Sequence, residues 1–146
     1  MHSELTVRPA SESDIPSINA LLLEWLDLRK ERELVFREAV GNAELIVAEQ
    51  DGVLVGFIHC VMHNDIIDGG PNCFITAFYV TPGKRRNGIG TRLLRTAVQE
   101  GIKKGAVGLE ASTTNVEARR LYEKHGFTQF RGEIFLEMDM AKVKEP

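Results

Sequence analysis

Phe74-Ile75-Thr76-Ala77-Phe78-Tyr79-Val80 is an apolar, strand-like run, and a few residues later comes Arg85-Arg86-Asn87-Gly88-Ile89-Gly90. After it, Ile89, Leu93, Leu94, Ala97, Val98 and Ile102 recur at helical spacing. A strand, a basic glycine-bearing turn and a helix in that order make a cradle for an anion. The glycines let main chain approach a ligand without Cβ clashes. The first-turn N–H groups of a helix lack intrahelical partners, and the macrodipole places about half a positive charge there. A phosphate is the natural occupant.

Two common phosphate loops fail on their own mechanics. A Walker loop needs Lys and then Ser or Thr after its second glycine. Counting from Gly83, the second glycine is Gly88, and Ile89 and Gly90 follow it. A dinucleotide fingerprint needs a third glycine for close helix–strand packing. Counting from Gly88 and Gly90, that place holds Leu93. The surviving pattern is Arg85-x-x-Gly88-x-Gly90.

A second block lies downstream: Leu109-Glu110-Ala111, then Asn115, Ala118 and Leu121-Tyr122-Glu123-Lys124-His125-Gly126-Phe127. With both blocks in this order, the sequence resembles the GNAT superfamily of N-acetyltransferases. The resemblance covers roughly residues 72 to 130, and the N-terminal half matches in layout only. It implies an α/β (α+β) fold: a mixed, mostly antiparallel twisted sheet of about seven strands flanked by four helices, with a V-shaped splay between two central parallel strands. It also implies acetyl-CoA as acyl donor. The pyrophosphate would rest on the turn of Arg85, Arg86, Asn87, Gly88, Ile89, Gly90 and Thr91. The pantetheine arm would pair with main chain near Phe78, Tyr79 and Val80, much as an added strand does. Asn115 and Ala118 would touch the cofactor from the last helix.

Composition agrees with an enzyme of this size. The 146 residues, 43% hydrophobic and 27% charged, suit one soluble globular domain over 1–146. A net charge of −3 argues against nucleic acid as a partner. No run approaches the roughly 18 apolar residues of a membrane span, and the N-terminus lacks the pattern of a signal peptide. Cys60 and Cys73 then read as reduced core residues in a cytoplasmic protein. Homodimers are frequent in the family resembled, so a homodimer stands as an open expectation.

The periodicities predict a short strand at 5–7, a helix from the Glu12–Pro16 cap to about Arg29, and a weaker helix over 29–38. Strands follow at 44–50 and 53–62, joined by the hairpin turn Asp51-Gly52. A loop is expected over 64–72, then a central strand at 73–80, a helix at 88–104 and a strand at 105–111. Thr114-x-x-Glu117 reads as a capping box for a fourth helix that Gly126 ends. Strands at 127–130 and 134–140 close the domain.

The implied chemistry is direct attack of a primary amine on a thioester. The amine is mostly protonated at pH 7 and must lose a proton to a base. The thiolate must be stabilised as it leaves, and the resemblance gives that role to Tyr122 as acid. Many members carry a basic carboxylate on the central strand, but those positions here are Thr76 and Ala77. Glu110 is the alternative base, with His59 or an ordered water in reserve. Glu110 also reads as the polar side of an edge strand, Asn115 as a helix cap, Tyr122 as packing, and Arg85-Arg86 as a solvated turn. His59 and His63 do not make a metal pair: four residues of strand span about 13 Å, against ligand bonds near 2 Å. No metal is expected. Trp25 is core or lines the acceptor groove. That groove is expected from the first two helices, the loop at 63–72 and a turn at 129–133. Glu24, Asp27, Glu31, Glu33, Asp65 and Asp68 favour a small cationic acceptor such as a polyamine or aminoglycoside, whereas the Leu-Glu…Asn…Leu-Tyr order favours a protein N-terminal amine. An acyl-CoA-binding regulatory domain on the same fold is the alternative, supported by the missing central carboxylate.

Overall fold

The computed structural model describes residues 4–26, 32–129 and 138–142. The chain divides into two compact units, Met1–Thr114 and Asn115–Pro146. The first carries one five-stranded sheet in the order β1-β2-β3-β4-β5. Its strands are β1 (Leu5–Pro9), β2 (Leu45–Gln50), β3 (Val53–Asp65), β4 (Gly70–Val80) and β5 (Gly108–Ala111). The first four run antiparallel to their neighbours, and β5 lies parallel to β4. The helices are α1 (Ile15–Trp25), α2 (Glu33–Gly41), α3 (Ile89–Lys103) and, in the second unit, α4 (Val116–Lys124). The fold is the expected mixed α+β type.

Several boundaries differ from those the periodicity predicts. The segment 64–72, expected as a loop, is mostly strand, with Asn64 opposite Pro71 and Asp65 opposite Gly70. Its polar residues carry no strand signal, but the long β3–β4 ladder holds them in register. Only residues 66–69 turn, and Asp65 Oδ1 closes that turn by accepting from the amides of Ile67 (2.8 Å) and Asp68 (3.3 Å). Helix α4 begins one residue later than the Thr114 box implies: Asn115 is the N-cap, and its Oδ1 accepts from Ala118 N–H at 3.0 Å. The amide acceptor reaches the third amide of the helix directly, so Thr114 is not needed. Phe127, Thr128 and Gln129 are not in a strand. The rest of the two closing strands, the turn at 129–133 and the helix one extension to Arg29 lie largely outside the described residues. Among the described residues five strands are therefore seen, where about seven are expected for the chain.

Within the first unit, alternation of side chains on the strands builds two apolar layers. Leu45, Val47, Phe57 and Tyr79 join Ile18 and Leu21 of α1 and Ala39 of α2 in one cluster. On α3, Ile89, Leu93, Leu94 and Ala97 are buried at 2% exposure or less. Ile89, Leu93 and Leu94 each contribute about 1.5–3 kcal/mol through burial, and Ala97 less. Gly56 of β3 permits a close approach of β4 and α3. A Cβ there would lie 2.8 Å from the Tyr79 carbonyl oxygen and 3.2 Å from Leu93 Cδ1.

Polar anchoring of β1 comes from Arg8, which bonds Asp14 (2.7 Å) and Glu49 (3.1 Å). The Arg8 guanidinium holds the largely buried Asp14 carboxyl down at about 2, against an ordinary 3.8, with help from the Ser11 amide. A carboxylate depressed by folding stabilises the protein above its unfolded pKa and loses that contribution as the pH falls through its folded value. The unfolding midpoint should therefore drop between about pH 4 and pH 2, and Asp14→Asn should flatten this part of the profile. A second expectation concerns Gly56: Gly56→Ala should destabilise the protein by about 1–3 kcal/mol in urea titrations. An unchanged midpoint would mean that β3, β4 and α3 have more room than these distances allow.

Candidate active site

The two ladders on β4 have different lengths. Pairing with β3 runs from Gly70 to Val80, whereas pairing with β5 covers only Asn72 to Ile75. The parallel pairing stops at Ile75 and Ala111, where β5 ends, and it is here that the splay is expected. A register shift between His59 and Cys60 leaves Thr76 without a β3 partner, and a bulge of this kind bends the strand, here next to the end of the parallel pairing. Thr81 N–H donates to the Val55 carbonyl at 2.9 Å. The alternation of an antiparallel ladder then turns the main-chain groups of Tyr79 toward β3 and those of Phe78 and Val80 toward the other edge. Of the three residues expected to offer main chain, Tyr79 is thus committed to the sheet. The Val80 carbonyl faces outward and accepts from Arg85 Nε at 2.8 Å.

The turn that follows has the backbone of an anion cradle. Arg86 (φ 66) and Gly88 (φ 78) are both left-handed, a conformation that is inexpensive only for glycine. Gly88 is the N-cap of α3, and no side chain caps that end. Arg92 N–H makes the first helical bond, to the Gly88 carbonyl, so the amides of Ile89, Gly90 and Thr91 lie ahead of the ladder. A Cβ on Gly88 would meet nothing within 4 Å. Packing therefore does not demand glycine here; backbone conformation does, and so would any molecule resting against the turn.

Tyr79 carries a second cluster that sequence patterns do not reveal. Its hydroxyl donates to Glu24 at 2.7 Å, Trp25 stacks on its ring at 5.4 Å and 12°, and the Arg85 guanidinium lies 5.6 Å from the ring centroid. Burial, reinforced by Glu24, raises the Tyr79 pKa, so the phenol stays protonated and serves as a fixed donor. Trp25 remains 39% exposed. It both packs and presents a face to solvent.

Glu110 is exposed on β5, opposite Phe74. Its Oε1 accepts from Asn72 Nδ2 at 3.0 Å, and the same nitrogen donates to Asp68 Oδ2 at 2.6 Å. Carboxylate oxygens of Asp65, Asp68 and Glu110 lie within 4.8 Å of one another, the set among the described residues with donors close enough for a cation. His59 bonds through Nδ1 to the Thr76 hydroxyl. Burial pushes its pKa below the ordinary value, with Glu44 opposing, so the ring is neutral at neutral pH. Cys60 and Cys73 are free and buried. In the second unit, Tyr122 is 7% exposed and packs on Phe127 at 5.1 Å between centroids, while Asn115 and Ala118 form the cap described above.

The Acetyltransferase (GNAT) family matches residues 12–127, and the chain belongs to that family of acetyltransferases. An uncharacterized N-acetyltransferase, YhfO of Bacillus subtilis, is 28% identical over 138 residues, which is 88% of this chain and 93% of that protein. Among solved structures, the aminoglycoside N-acetyltransferase AAC(6')-Iy in complex with CoA superposes with a TM-score of 0.82 at 20% identity, over 94% of this chain and 97% of that one. A ribosomal-protein-alanine N-acetyltransferase from Brucella melitensis gives 0.73 at 17% identity, over 94% of this chain and all (100%) of that one. These two likenesses are of fold. Acetyl transfer from a CoA-based donor is the activity class. No helix among the described residues is long and apolar enough to cross a membrane.

Proposed function

We propose that the protein is an acetyl-CoA-dependent N-acetyltransferase, one domain over 1–146, that acetylates a primary amine by direct attack. The end of the β4–β5 pairing at Ile75, on the strand that leads into a left-handed helix start at Gly88, carries this reading. The turn from Arg85 to Thr91 would take the diphosphate on main-chain amides, and the outward main chain of Phe78 and Val80 would pair with the pantetheine arm. The Arg85 side chain, exposed and bonded to Val80, would have to exchange that carbonyl for the ligand. Asn115 and Ala118 are assigned to the cofactor by sequence resemblance.

In the reaction, Glu110 takes a proton from the acceptor ammonium, and the free amine attacks the thioester carbonyl. A C–N bond forms, the C–S bond breaks, Tyr122 gives its proton to the departing thiolate, and the second proton of the attacking nitrogen is released to restore the Tyr122 phenol, leaving a neutral amide. Glu110 suits the base because it is solvent-accessible and its carboxylate is held by a buried amide. His59, neutral and close to Thr76, is the reserve. For the acceptor, the carboxylates of Asp65, Asp68 and Glu110 favour an amine that arrives as a cation. A polyamine, an aminoglycoside and a protein N-terminus all meet this condition.

A panel of kanamycin, spermidine and an alanine-led peptide, with thiol release from acetyl-CoA as the signal, tests the reading. No release with any of them would overturn it in favour of a domain that binds acyl-CoA without turnover. Gly88→Val should lower acetyl-CoA affinity at least about tenfold in calorimetry, since a β-branched residue at this φ costs about 1–2 kcal/mol and intrudes on the ligand; Gly83→Ala should not. Wild-type affinity in Gly88→Val would move the phosphates elsewhere. Tyr122→Phe should reduce kcat on the order of a hundredfold with affinity preserved, as for loss of an acid. An unchanged kcat would remove Tyr122 from the chemistry.

A further inference from the structure

Asn72 is 1% exposed, a polar side chain buried where the sheet changes from antiparallel to parallel. It pairs with His63 on one side and Gly108 on the other. Its Nδ2 donates to both Asp68 Oδ2 (2.6 Å) and Glu110 Oε1 (3.0 Å). Its Oδ1 is buried and has no hydrogen-bond partner. Gly108 makes room for that oxygen, because a Cβ there would stand 2.8 Å from it.

The orientation of this amide is decided by its surroundings. Turned over, it would aim its oxygen at two carboxylate oxygens, so the nitrogen must face them. The arrangement is a poor choice for stability alone. Buried polar groups are normally satisfied at every atom, and a half-satisfied amide costs free energy that an apolar residue would not. The expense yields order in an exposed neighbour. A solvent-facing glutamate samples many rotamers, whereas one anchored to a rigid, buried donor by a charge-assisted bond is held in few. Asn72 can act this way because its own side chain has little freedom: β4 fixes its backbone, Asp68 takes its second hydrogen bond, and Gly108 leaves space for its oxygen and little else.

We propose that Asn72 is the positioning residue for Glu110: it holds the carboxylate of the base in the orientation that receives the acceptor's proton. The inference rests on Glu110 being the base, and the test separates the two. Glu110→Gln, Asn72→Ala, Gly108→Ala and the double variants Glu110→Gln/Asn72→Ala and Glu110→Gln/Gly108→Ala would be compared with the fastest amine of the panel. For each, kcat and the KM for acetyl-CoA would be measured. Gly108→Ala displaces the amide without removing it, so it serves if Asn72→Ala does not fold. Each of the two single variants at Asn72 and Gly108 should lower kcat roughly tenfold to a hundredfold, as small misplacements of a catalytic group do. The KM for acetyl-CoA should stay within about twofold, because ground-state binding of the donor is untouched. On the Glu110→Gln background the same changes should have no further effect on kcat. If Glu110→Gln is slow but the other changes leave kcat intact, or multiply its loss, positioning by Asn72 is overturned while the base stands. If Glu110→Gln retains full turnover, the base assignment falls and the positioning falls with it.

Discussion

Strand β4 serves two neighbours unequally, and the rest of the first unit depends on that mismatch. Against β3 it is paired from Gly70 to Val80 except at the Thr76 bulge; against β5 it is paired only from Asn72 to Ile75. Main-chain groups that leave a ladder need partners or exposure. The bulge at Thr76 turns the strand where the parallel pairing ends, and the outward amides that follow are those of Phe78 and Val80. The ladder with β5 does not extend to this edge. An edge of this kind is also a liability for aggregation. Here it is short, and the Arg85 side chain occupies one of its carbonyls.

The same strand carries a different environment at each end. At its start, Asn72 is surrounded by Asp68, Glu110 and the space over Gly108, so the local chemistry is anionic. At its finish, Tyr79 is held by Trp25 and Glu24 under the Arg85 guanidinium, and the basic turn follows. A donor that is polyanionic at one end, and an acceptor that arrives as a cation, would be drawn to opposite ends of this strand. Family membership is established by the match over residues 12–127. The acceptor does not follow from it, because the fold carries many sites. Two solved proteins of closely similar fold bear the names of an aminoglycoside and a ribosomal-protein-alanine acetyltransferase.

Much of this was legible in local sequence. Ile15, Ile18 and Leu21 mark α1, and Leu93, Leu94 and Ala97 mark α3, because burial of one helix face requires that spacing. Asp51-Gly52 marks the β2–β3 hairpin, and both residues have positive φ. Gly88 followed by an apolar stripe locates the helix start to within a residue. The polar stretch 64–72 misleads: propensity reads it as loop, yet pairing with β3 makes most of it strand. That error hid Asn72, since a loop asparagine has no reason to be buried. The stacking of Trp25 on Tyr79 joins residues far apart in the chain, and no local pattern encodes it.

What the sequence by itself determined is what depends on neighbours along the chain: helix faces, hairpin turns, the glycine that permits a left-handed cap, and the two motif blocks that mark the family. What only the tertiary structure decided is where strand pairing stops, which side of β4 each amide faces, and that a buried asparagine grips Glu110. The physical reason is that ladder length, bulge position and the burial of a polar group are set by contacts between segments distant in sequence. The free energy of those contacts outweighs local propensity.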